Sequence, residues 1–133
     1  MLNHITPYKD LLTEVEQIQS FAEITVSDDP QEIAGRITDC GTYIARTGKM
    51  LADAKYHLNT AKQSEVVKLI KSLSSEKYSA KAQNKLIDSV CADEEYLVDW
   101  IERLNRALTH QQEACRSLLS YEKENLRISK TGY

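Results

Sequence analysis

Apolar residues recur along this chain in steps of three and four, and three stretches keep that spacing. The first is ITPYKDLLTEVEQIQSFAEI, where Leu11, Leu12, Val15, Ile18 and Ala22 fall at helical intervals. Thr6 is a candidate cap and Pro7 suits a first helical position, so a helix is expected over about 7–24. The second stretch opens with Asp29, Pro30 and Glu32, a capping-box arrangement with Asp as the cap. Behind it, Ile33, Ile37, Cys40, Ile44, Thr47, Leu51, Ala54, Leu58 and Ala61 alternate steps of four and three, a heptad seam. The phase then shifts to Val66, Leu69, Ile70 and Leu73 in the manner of a stutter, and the spacing predicts one helix over about 30–73. Gly35, Gly41 and Gly48 each weaken that helix by about 1 kcal/mol relative to Ala. They suggest a closely packed neighbour, with the first helix as the candidate, or a break near the start.

SLSSE interrupts the pattern, and Ser74 and Ser75 are turn and cap residues. The third stretch runs Leu86, Val90, Asp93, Leu97, Trp100, Leu104, Ala107, Gln111, Ala114, Leu118, Tyr121, Asn125, Ile128. No proline or glycine falls between Ser79 and Thr131, so one helix is expected over about 77–129. Two helices of about 40–50 residues each span about 60–75 Å and, joined by a short turn, lie antiparallel. The expected fold is therefore all-α: a single domain made of a long, coiled-coil-like antiparallel hairpin with a shorter N-terminal helix. An elongated chain of this size buries limited core alone, so a homo-oligomer is expected. Leu97, Trp100, Leu104, Leu108 and Leu118 mark the hairpin and oligomer seam. Asp93 and Gln111, polar residues within it, either fix register and orientation or face a subunit or ligand.

Composition narrows the class. Four glycines and two prolines in 133 residues leave little turn material for a sandwich or barrel. Cys40, Cys91 and Cys115 are widely separated and odd in number, against a disulfide framework or zinc site. The N-terminus lacks a basic segment followed by an apolar run, so no signal peptide is expected, and no stretch is apolar enough to span a membrane. A reducing cytoplasm is the expected setting.

Charge changes the picture more. The chain is net −3, but residues 43–86 hold nine basic and three acidic groups, net +6. Residues 1–42 hold two basic and eight acidic groups, net −6, and residues 87–133 six basic and nine acidic, net −3. This describes a dipolar rod, positive at the hairpin tip and acidic at the opposite end. Tyrosines interleave with the lysines. Lysines neutralise phosphates and rings stack on bases, which is what single-stranded nucleic acid needs. The candidate contacts are Lys49, Lys55, Lys62, Lys68, Lys71, Lys77, Lys81 and Lys85 with Tyr56 and Tyr78. Lysine in place of arginine favours loose phosphate contact over base reading. The bland alternatives are a solvated lysine face, or a basic patch that meets the acidic N-terminal third of a neighbouring copy.

No catalytic residue, cofactor or metal site is expected. G-x-x-x-x-G-K-[ST], G-x-S-x-G and H-E-x-x-H are all missing from the sequence. Neither His57 nor His110 follows a Glu by three residues, as a helical di-iron site requires. Asp53 and His57 share a helix face but are too few for a metal, and surface positions are expected for both. The acids after Cys91 raise the thiol pKa instead of activating it.

The last helix, with its SVCADEE segment from Ser89 to Glu95, resembles the recombination mediator family of T-even phages, small helical phage proteins of similar length. The resemblance spans about residues 43–128. It implies a cytoplasmic oligomer, assembled through its C-terminal helix, that binds single-stranded DNA and helps load a strand-exchange recombinase without catalysing bond chemistry. By position it places DNA contact on the lysines from Lys49 to Lys81 and self-association on Leu97 to Leu118. The chain's acidity departs from the usual basic DNA-binding domain. The rival readings are a coiled-coil protein-interaction module (an adaptor, an assembly component or an inhibitor of a host defence protein) and an oligomer that sequesters an anionic nucleotide.

Overall fold

Asp29 caps the second helix as its sequence implies: its carboxylate accepts from Glu32 N at 3.3 Å, with Pro30 at the first helical position. In the computed structural model, which describes residues 4–74 and 79–130, the helices are α1 (Tyr8–Ala22), α2 (Pro30–Lys62), α3 (Glu65–Ser74), α4 (Ala80–Val90) and α5 (Ala92–Lys130). Both rods expected to be continuous are broken. The helix over 30–73 stops at Gln63 and restarts as α3, where Ser64 Oγ accepts from Val67 N at 3.4 Å. The apolar phase shift is thus a helix break and not a stutter. The helix over 77–129 breaks at Cys91, between α4 and α5. Ser75 lies outside the described residues.

α2 and α5 are antiparallel along their length. Arg36 meets Gln111, Ile37 O accepts from Gln112, Ile44 O accepts from Asn105, and Lys62 meets Glu95. α1 lies against both, antiparallel to α2. Its start is held near Asp53 and His57, its end near Arg36, and Gln19 accepts from the Trp100 indole at 3.0 Å. The body is thus a three-helix bundle in which α1 covers one side of the hairpin.

The core of that bundle follows the seam in part. Ile33, Cys40, Thr47, Ala54 and Leu58 are buried from α2, together with Met50, which the step pattern skips. From α5 the buried set is Leu97, Val98, Ile101, Leu104, Leu108 and Cys115. Ala107 and Ala114 are exposed, Asp93 is exposed, and Trp100 and Leu118 are half-buried. The α5 seam therefore sits one residue later than the sequence steps at three places. Trp100 stands at its margin because its N–H needs an acceptor, and Gln19 supplies one. Gln111 does act in register: it accepts from Arg36 at 3.0 Å and donates to Ala22 O at 2.6 Å.

Among the glycines of α2, only Gly41 meets a neighbour. A Cβ there would lie 3.2 Å from Gln112 Nε2, on α5 and not on α1 as expected. Gly35 and Gly48 face open space, and α2 is unbroken through all three.

Candidate nucleic-acid interface at the helical tip

α3 and α4 form the tip. Ser79 caps α4 by accepting from Ala82 N at 3.2 Å, and Gln83 Nε2 donates to Lys71 O at 3.0 Å, tying the two helices. Val67, Ile87 and Cys91 anchor the tip to the core. Val66 and Leu69, expected on the apolar face, are 55% and 57% exposed, and Leu86 and Val90 are exposed too. The short helices therefore bury Val67 and Ile87, keep the expected Ile70 partly buried against the core, and turn Val66, Leu69, Leu86 and Val90 to solvent; the Leu73 side chain lies outside the described residues.

The lysines divide into two groups. Lys55, Lys71, Lys81 and Lys85 are exposed and form no ion pair among the described residues. Lys62 reaches Glu95 at 3.4 Å and Lys68 reaches Glu65 at 3.5 Å, both solvent-screened pairs. Lys62 and Lys71 line one surface hollow with Asn84, Ile87 and Asp88. Tyr56 is 42% exposed, its ring edge-on to His57. Lys77 and Tyr78 lie outside the described residues.

Lys49 belongs to a different assembly. Its Nζ donates to both oxygens of Asp53, at 2.5 and 2.6 Å, and to His4 O at 2.9 Å. Asp53 is buried and accepts from Thr6 N at 3.0 Å, while His57 Nε2 lies 2.7 Å from Thr6 O. Arg46 joins Glu14 and reaches Thr6 Oγ1 at 3.2 Å. Asp53 and His57 are thus not free surface residues but a clamp on the segment before α1. Thr6 is held by this clamp and does not cap α1, whose N-cap is Pro7. Burial pushes the Asp53 carboxyl up, but hydrogen bonds from Lys49 and Thr6 outweigh it and hold the carboxyl below its ordinary value.

The acidic run also lies elsewhere than expected. Asp93, Glu94 and Glu95 occupy the first turn of α5, where they complement the helix dipole. Glu95 meets Lys62, and burial followed by the charges of Asp93 and Glu94 raises the Tyr8 phenol pKa. Acid therefore borders the base of the tip; it is not confined to the opposite end. Burial, then Glu94, pushes the Cys91 thiol up, and burial does the same at Cys40. Among the described residues, no group of three His, Cys, Asp or Glu side chains gathers where a metal could bind, and no helix is long and apolar enough to cross a membrane.

A second exposed feature was missed by the sequence steps. Tyr96 is 67% exposed, its ring 6.0 Å from that of Trp100. Both line a shallow notch with Asp99 and Arg103. The signal was the spacing of Tyr96, Trp100 and Arg103, four and three residues apart on one face of α5.

Fold and site together define an all-α helical hairpin with a basic, partly apolar tip. Comparison with protein-family models, curated proteins and solved structures finds no match to this chain.

Proposed function

We propose that this chain is a non-enzymatic, single-stranded-DNA-binding accessory protein of recombination, of the phage mediator type, acting in a bacterial cytoplasm. The observation that carries the reading is the set of exposed lysines that form no ion pair among the described residues, Lys71, Lys81 and Lys85 on the tip and Lys55 on α2. Such cations attract phosphates without reading sequence. The solvent-screened pairs of Lys62 and Lys68 can exchange a carboxylate for a phosphate at little cost.

Self-association completes the reading. α5 runs beyond the start of α2, and Tyr121, Leu126 and Ile128 are 62%, 50% and 50% exposed on that extension. An oligomer joined there presents several tips to one strand and gains avidity. A recombinase is the protein partner this role requires.

The test is binding of a labelled single strand, against duplex, across a salt titration. Affinity should fall steeply with salt, and joint K55E, K71E, K81E and K85E should abolish it. No binding at low salt removes the proposal. The exposed Val66, Leu69, Leu86 and Val90 favour a second reading, a protein-interaction module. In that case partner capture survives the lysine changes and fails when the four apolar residues become polar.

A further inference from the structure

An exposed tyrosine beside a held tryptophan is an unusual use of aromatic surface. Tyr96 is the most exposed of the large apolar and aromatic side chains described, and its one ring contact among the described residues is with Trp100. Trp100 is fixed one turn away by its bond to Gln19. Arg103, at the far side of the notch, forms no ion pair among the described residues. On the near side, Glu95 precedes Tyr96 and reaches Lys62, which lines the hollow shared with Lys71 of α3. Two rings and a cation therefore follow one another along one face of α5, leading away from the tip.

We propose that Tyr96 and Trp100 form a base-stacking platform for single-stranded DNA, with Arg103 as the flanking phosphate contact. The inference rests on the DNA-binding reading of the tip. Stacking suits this site because every base has a π-face, so the platform works without sequence readout. From Tyr96 to Arg103 the helix rises about 10 Å at 1.5 Å per residue, room for about two stacked bases. Asp99, which also lines the notch, sets the sense of the strand. A carboxylate repels phosphate but accepts from an exocyclic amine, so bases turn toward Asp99 and the backbone runs over Arg103.

Trp100 is the only tryptophan in the chain, so its fluorescence reports on this site alone. The experiment compares a short single strand with an abasic strand of equal length and charge, read by Trp100 emission and by anisotropy of the labelled strand. The base-bearing strand should quench Trp100 and bind more tightly than the abasic one. Tyr96→Ala should weaken its binding about five- to tenfold, and Tyr96→Phe should retain it. If both strands bind equally, lose binding with the lysine-to-glutamate changes and leave Trp100 emission unaltered, the platform is wrong and the tip reading stands. If neither strand binds, both readings fail. Should Tyr96→Ala not fold, the two strands on the unaltered protein decide alone.

Discussion

The body and the tip of this molecule treat their cations in opposite ways. In the body, Arg36 donates to Phe21 O at 2.9 Å and to Gln111, with its guanidinium 4.1 Å above the Phe21 ring. Arg46 is held by Glu14, and Lys49 by Asp53 and His4. Each of these charges holds one helix to another or to the segment before α1. At the tip, Lys71, Lys81 and Lys85 form no ion pair among the described residues, and apolar side chains that the body would bury stand in solvent. A region organised for its own stability satisfies its polar groups internally, whereas a region organised for contact leaves them available.

The contrast can be broken most decisively with one leucine in each region. Leu108→Ala, at a fully buried position, should cost about 2–5 kcal/mol in a urea unfolding measurement. Leu69→Ala, in the tip, should stay within about 0.5 kcal/mol. Equal losses would mean that the tip is part of the same core. Next in size is Arg36→Ala, expected to lower stability by about 1.5–3 kcal/mol because charged donors to two carbonyls and an amide are lost. A joint Lys71→Gln and Lys81→Gln variant should leave the melting temperature unchanged.

The clamp gives a smaller, pH-dependent effect. Asp53 has a folded pKa below its unfolded value, so its contribution is present above the ordinary carboxylate range and is lost as pH falls through the folded pKa. Asp53→Asn should remove about 1–2 kcal/mol at neutral pH and flatten the acid limb of the stability curve below about pH 4. An unchanged acid limb would place the proton uptake elsewhere. The smallest effect belongs to the glycines. Gly48→Ala should stabilise by about 0.5–1 kcal/mol, since its Cβ meets nothing. Gly41→Ala should gain less, because Gln112 Nε2 must move.

Legibility in the sequence followed the range of the interactions. The Asp29 cap and the Ile33–Leu58 seam involve residues three or four apart, and both were readable. On α5, Trp100 and Ile101 are adjacent and both apolar, so spacing could not choose between them; the indole N–H decided it by finding Gln19 across 81 residues. The breaks at Gln63 and Cys91 carry no glycine or proline, and Ser64 was the one hint of the first. Asp53 and His57 looked like surface residues because their partner, Thr6, is 47 and 51 residues distant. At the tip, the lysines were visible as composition, but which of them an acid would occupy depended on the position of Glu95 in space.

The two helix breaks face one another, since Lys62 just before one reaches Glu95 just after the other. No uninterrupted helix therefore crosses from body to tip. Amide exchange should divide the chain into two tiers there. The amides of α3 and α4 should exchange through an opening that frees the anchoring contacts of Val67, Ile70, Ile87 and Cys91, while those in the middle of α2 and α5 await global unfolding. The tip should thus open as a separate cooperative unit, and a ligand bound there would be recorded first as slowed exchange in those two short helices.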